Sequence, residues 1–138
     1  KQSMLKDKPL FENLQKDFIS FIKDYPIVGH SILFDMGFLE RNLSDYDLIF
    51  RDRMICDTFY LSKIYSYYSN SFSLSALCQN FNIPITDAHR AEEDAKNSGL
   101  LFVEILKKIK DSNLLMIQKI NNCIKNFDVP NNKLFNNI

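Results

Sequence analysis

A chain of 138 residues is long enough for one domain that buries roughly 68% of its unfolded surface, and its 46% hydrophobic and 25% charged fractions are those of a soluble globular protein. Seventeen basic residues balance seventeen acidic ones, so there is no bulk electrostatic case for nucleic acid, although a local basic track is compatible with zero net charge. Three widely spaced cysteines without a CxxC argue against disulfide staples or a zinc site and for a reducing cytoplasmic setting, and no apolar run approaches the ~18 residues of a membrane span.

The chain opens on Lys1, lacks a signal-peptide apolar region, and runs almost at once into an amphipathic segment, as expected of a fragment or a processed form. In PLFENLQKDFISFIKDY, Leu10, Phe11, Leu14, Phe18, Phe21 and Ile22 recur at helical spacing behind Pro9. PIVGH predicts a short buried strand ending at Gly29 and His30, and Phe34, Phe38, Leu39 and Leu43 return to helical spacing. RMICDT predicts a second short strand, with Asp57 or Thr58 as cap for the helix FYLSKIYSYY. A Ser-rich cap then opens a short helix ending near Asn82, and Pro84 with Asp87 makes a turn. From His89 a long helix is expected to about Lys110, and DSNLLMIQKINNCIKNF supplies another, capped by Asp111 or Ser112, before a polar tail. Two short strands joined through a helix predict a parallel pair, and two strands are too few for a stable sheet.

Two stretches could carry chemistry. His30 stands at a strand end and Asp35 five residues on, where α/β folds gather their functional groups. A bland alternative is that Asp35 charges a helix N-terminus and His30 is a satisfied turn residue. In HRAEEDA, His89 stands at the helix mouth, and Asp94 shares a face with the small Ala91, a plausible arrangement for a metal ligand. Glu92 and Glu93 need no more than the positive end of the helix dipole. Arg90, Lys96 and the LKKIK run could track phosphates, but read more simply as solvated charge, and Phe38 reads as core.

Together, and in this order, the two stretches resemble the second and third motifs of the DEDDh 3′–5′ exonucleases, the family of the DNA polymerase III epsilon subunit. The second motif is matched by His30, Phe34, Asp35, Phe38 and Leu39, with Ser31 in place of the usual Asn; the third is matched by His89, Ala91, Asp94 and Ala95. Between them, CDTFYLSK resembles the family's Asp-Thr-Leu step and FSLSALCQNFNI its Ser-Leu-x-x-Leu helix, so the similarity spans about residues 8–108. The family's first motif, Asp-x-Glu, is nowhere in the chain; Asp45 and Asp47 have a similar spacing but follow a helix, in the wrong order.

The resemblance implies an α/β fold: the C-terminal portion of an RNase H-like exonuclease, helix-rich with a small residual parallel sheet. It implies a partial exonuclease domain over residues 1–110, with its first strands absent, and a C-terminal helical extension or linker over 111–138. Asp35 and Asp94 would be metal ligands for Mg²⁺ or Mn²⁺, two ions in a complete site, and His89 the general base. The implied activity is hydrolysis of phosphodiester bonds at nucleic-acid 3′ ends in DNA proofreading or repair, on single-stranded DNA with RNA as an alternative. With two of four carboxylates, this chain alone is expected to have little or no activity. The segment KIKDSNLLMIQKINNCIKNF is similar to the linker of DinG-type helicases, which implies a polymerase or helicase as partner or fused domain and no membrane. Two rival readings stay open: an inactive exonuclease-like binding module of a polymerase or helicase, and a helical interaction protein with accidental motif matches.

Overall fold

The computed structural model describes residues 8–85, 90–124 and 134. Their order is α1 (Phe11–Ile22), β1 (Ile27–Gly29), α2 (Leu33–Asn42), α3 (Tyr46–Phe50), β2 (Ile55–Asp57), α4 (Thr58–Tyr65), α5 (Leu74–Asn80), α6 (Ala91–Lys110) and α7 (Leu114–Ile124). β1 and β2 pair in parallel, with Ile27 opposite Ile55, Val28 opposite Cys56 and Gly29 opposite Asp57. The helix-rich chain with its small parallel sheet is the α/β arrangement that the sequence predicts.

This register builds the core. Successive strand residues point to opposite faces, so Ile27 and Ile55 join one apolar cluster while Val28 and Cys56 join another. The first cluster is built by Ile22 of α1, Ile32 and Met36 at α2, Leu43, and Phe50 of α3. In the second, Cys56, Leu61, Leu77, Leu101 and Ile105 are all fully buried, and Ile117 of α7 and Leu134 lie against them. A parallel sheet is stable with both faces covered, and here helices cover both.

The apolar spacing in α1 overstates what is buried. Phe11, Phe18 and Ile22 share the inward face, and Phe11 meets Phe18 and Phe38 edge-on at 5.8 and 5.3 Å. Leu14 and Phe21 lie roughly 60–80° round the helix from that face and are exposed, Phe21 by 82%. The capping expectations resolve individually. Asp57 caps α4, accepting from Phe59 N–H, and Ser73 caps α5. The start of α7 is capped neither by Asp111 nor by Ser112 but by Asn113, whose Oδ1 accepts from Met116 N–H at 2.8 Å. The Ser112 hydroxyl instead donates back to the Lys108 carbonyl at 2.8 Å.

The stretch of Asp45 and Asp47, for which the sequence predicts no element of its own, contains the short α3. Its apolar content is set by Ile49 and Phe50, which pack onto the first cluster from a single turn too short to show periodicity. Asp87 and His89 lie outside the described residues.

Candidate active site

The carboxyl end of β1 opens into a cavity of about 600 Å³. Val28 and Gly29 bring the strand to it, α2 contributes Asp35, α5 contributes Leu74, and α6 contributes Ala91, Asp94 and Ala95. The two aspartates, 59 positions apart in the chain, thus face one space. Asp35 is exposed and Asp94 half-buried. Among the described residues, no hydrogen bond or ion pair engages either carboxylate. Ala91 lies one turn before Asp94 on the same face and Ala95 follows it directly, and their short side chains, which also line the cavity, leave the carboxylate room to receive a ligand.

The strand-to-helix turn that carries Asp35 is held from below. Asp57, the last residue of β2, is fully buried, and its carboxylate accepts from Ser31 N–H at 2.9 Å and from Ile32 N–H at 3.1 Å. It also accepts from Phe59 N–H at 2.9 Å, as the cap of α4. A buried carboxylate is costly unless hydrogen-bonded, and three amides satisfy this one. The sequence offered Asp57 as a cap for α4 and as part of the Asp-Thr-Leu step, and no more. Its turn-clamping role was invisible in sequence because two of its donors lie 25 and 26 positions upstream.

Ser31 adopts φ 58° in this turn, a left-handed conformation that costs an L-residue roughly 1–2 kcal/mol and that asparagine tolerates better than serine. Ser31→Asn is therefore expected to raise stability by about 0.5 kcal/mol, read as a higher melting temperature. An unchanged or lower melting temperature would contradict this account of the turn. Gly29 is fixed by packing: a Cβ there would collide with the Ile32 side chain.

His30 is held at both ring nitrogens. Nε2 lies 3.0 Å from the Phe72 carbonyl oxygen and Nδ1 2.9 Å from the Thr58 hydroxyl. The Phe72 carbonyl accepts from Nε2–H, and the Thr58 hydroxyl that meets Nδ1 donates to the Gly29 carbonyl at 3.2 Å. Burial lowers the His30 pKa, against the Phe72 hydrogen bond and the negative charge of Asp57, which raise it. With both ring nitrogens engaged, His30 braces the strand end and is not placed to abstract a proton.

The sign of the resulting pH dependence follows directly. The unfolded imidazole titrates near 6.5 and the folded one lower, so between the two values the unfolded chain binds more protons. His30 therefore contributes its full stability above about pH 6.5 and loses it as pH falls toward the folded value. Melting temperatures at pH 7.5 and 5.5 should differ more for the wild-type chain than for His30→Gln. Equal differences would exclude this role.

The sequence-predicted site residues divide as follows. Asp35 and Asp94 line one cavity; His89 lies outside the described residues. Asp45 and Asp47 line a different, smaller concavity of about 340 Å³ beside Arg51 and Asp52. No cluster of three or more His, Cys, Asp or Glu side chains with metal-binding geometry occurs among the described residues. The donor chemistry at the cavity, two unengaged carboxylates, nonetheless fits a hard divalent cation such as Mg²⁺ or Mn²⁺. Cys56 and Cys78 are buried thiols, and burial pushes the Cys56 pKa up to about 11, so neither is a nucleophile. Among the described residues, no helix is long and apolar enough to cross a membrane.

Comparison with known proteins identifies the family. A family model described as an exonuclease matches residues 1–102. The chain is 33% identical over 113 residues to the 3′-5′ exonuclease DinG of Staphylococcus epidermidis, covering 82% of this chain and 12% of that protein. It is 29% identical over 133 residues to the PolC-type DNA polymerase III of Caldanaerobacter subterraneus, covering 96% of this chain and 9% of that protein. The DinG exonuclease of Staphylococcus aureus USA300 is 29% identical over 109 residues. The chain thus spans about an eighth or less of the length of these relatives. No solved structure matches it. With a family match over most of its length, and two motif aspartates brought to one cavity at a strand end, the chain belongs to the exonuclease family and has its RNase H-like α/β character.

Proposed function

We propose that this chain is the part of a 3′–5′ exonuclease domain that supplies Asp35, His89 and Asp94 to a metal-dependent active site hydrolysing phosphodiester bonds at nucleic-acid 3′ ends. The observation that carries the reading is the convergence of Asp35 and Asp94 on one cavity with both carboxylates unengaged among the described residues. These two side chains would hold divalent cation. The chemistry such ions supply when a pair is bound is activation of water and stabilisation of the leaving oxygen. His89 would take the proton from the attacking water at an imidazole nitrogen, a role for which a histidine suits neutral pH.

Residues 1–110 form the exonuclease portion in this reading, and 111–138 a helical extension. The likeness to a DinG exonuclease and a PolC-type polymerase supports a role in a larger DNA-processing protein, and a cytoplasmic setting goes with that reading. Single-stranded DNA is the substrate we favour, in proofreading or repair.

One observation favours a second reading, a nuclease-like module that binds a strand without cutting it. The sequence contains no Asp-x-Glu, and among the described residues only Asp35 and Asp94 bring carboxylates to the cavity. Two carboxylates neutralise a pair of divalent ions incompletely, so hydrolysis by the chain alone is expected to be slow.

The experiment is incubation with a 5′-labelled single strand in Mn²⁺. Slow stepwise shortening from the 3′ end, absent in Asp35→Asn, supports the enzyme. A strand that is bound but left intact supports the second reading, and shortening that survives Asp35→Asn overturns the assigned site.

A further inference from the structure

We infer that Asp57 is a positioning residue for this site: its buried carboxylate fixes the turn between β1 and α2 and, through that turn, sets where Asp35 stands on the cavity wall. The inference rests on the exonuclease reading and deepens it.

Asp57 has a simple task, the capping of α4, and a larger one. Capping requires a single acceptor for the Phe59 amide, which Ser, Thr or Asn would provide without a charge. A fully buried carboxylate is a costly way to do that alone. Its two oxygens instead reach across to the neighbouring strand end, one to Ser31 N–H and the other to Ile32 N–H, at 2.9 and 3.1 Å. These bonds to an ionised acceptor are stronger than neutral ones, and they fall on the two residues that turn the chain from β1 into α2.

The turn has little freedom of its own to hold that geometry. Ser31 is in the left-handed region at φ 58°, which an unclamped serine would leave. Helix α2 starts at Leu33, so Asp35 lies in its first turn, three residues beyond the last amide that Asp57 holds. No side-chain hydrogen bond caps α2 at Ile32. The clamp on the Ser31 and Ile32 amides therefore takes the place of a cap and sets the helix entry angle. Because a helix turn moves as a unit, a shift at Ile32 displaces Asp35 with it.

Asp57 itself does not face the cavity of Asp35 and Asp94. It lines a smaller recess of about 260 Å³ with Leu33, Phe34, Phe59 and Tyr60. Its effect on a ligand of Asp35 is thus transmitted through the backbone. The parallel register, with Asp57 opposite Gly29, puts the clamp directly beside the strand end that opens the cavity.

The test uses the full chain, ¹⁵N-labelled, with Mn²⁺ as a paramagnetic probe of amide resonances. In the wild type, Mn²⁺ should broaden amides around both Asp35 and Asp94. In Asp57→Asn, the Mn²⁺ concentration for half-maximal broadening of the amides around the cavity should rise roughly ten- to a hundredfold. Asp57→Ser retains a capping acceptor for α4 but cannot reach the turn, and should show the same rise if Asp57→Asn folds poorly. In an Asp35→Asn background, Asp57→Asn should change Mn²⁺ binding no further. A purely structural residue would lower the melting temperature and leave that concentration unchanged. If Asp57→Asn and Asp57→Ser keep the wild-type concentration for half-maximal broadening, the inference is overturned and the exonuclease reading stands. If Mn²⁺ broadens neither region in the wild type, the metal-site reading itself fails and takes the inference with it.

Discussion

Exchanging Asp94 for asparagine is expected to reduce Mn²⁺-dependent hydrolysis of a single strand by about 100-fold or more, because even residues one shell removed from a metal cost 10–100-fold when lost. The substitution preserves shape and removes one negative charge from a cavity whose other carboxylate is Asp35. The backbone of α6 should not respond. Asp94 N–H donates to the Arg90 carbonyl at 2.9 Å, and the Asp94 carbonyl accepts from the Ser98 hydroxyl at 2.8 Å, and neither bond involves the carboxylate. The loss of a first-turn acid costs about 0.3–1 kcal/mol through the helix dipole, and Glu92 and Glu93 remain there. The expected result is thus an inactive but folded protein, measured as rate beside melting temperature. Retained activity would remove Asp94 from the site. A melting temperature that collapsed with the rate would assign Asp94 to structure.

Replacing Leu101 by alanine is expected to cost about 3–4 kcal/mol, the middle of the range for a fully buried leucine. Leu101 is inaccessible to solvent on the face of α6 that packs with Leu61, Leu77 and Ile105. Native domains are stable by only about 5–15 kcal/mol, so the loss consumes a large part of the total. Urea unfolding followed by circular dichroism should show a lower midpoint at unchanged slope. Its neighbour Leu100 is 41% exposed, and Leu100→Ala should change stability by about 0.5 kcal/mol or less. Equal effects at 100 and 101 would mean that α6 is rotated from the orientation described.

That pair of leucines shows where the sequence was ambiguous. Apolar spacing predicted a helix through Leu100 and Leu101 but could not say which faced the core, because both lie within one broad stripe. The same holds in α1, where Phe11, Phe18 and Ile22 turn inward while Phe21 does not. Periodicity locates a stripe to within a residue or so of helical rotation, and only the opposing surface chooses its centre.

The candidate site was legible to a different degree at each residue. Asp35 and Asp94 could be named because each sits in a short local pattern, and the fold puts both on one cavity. His30 could be named as a motif position or a satisfied turn residue, but what satisfies it could not. The reading of it as a satisfied turn residue holds, but its partners, Thr58 and the Phe72 carbonyl, lie 28 and 42 positions away. Asp57 looked like a helix cap, and the cap is real. Its hold on the turn before α2 comes from the strand register, which sets Asp57 opposite Gly29.

By itself, the sequence determined the order of helices and strands apart from α3, the parallel pairing implied by a helical connection, and the family, since these depend on local spacing and on short motifs. The tertiary structure alone decided which apolar residues form the two clusters, that α3 exists as a packed turn, and that a buried carboxylate clamps the strand end. The physical reason is common to all three. A burial or a long-range hydrogen bond is a relation between segments, and its energy depends on groups that local sequence does not contain.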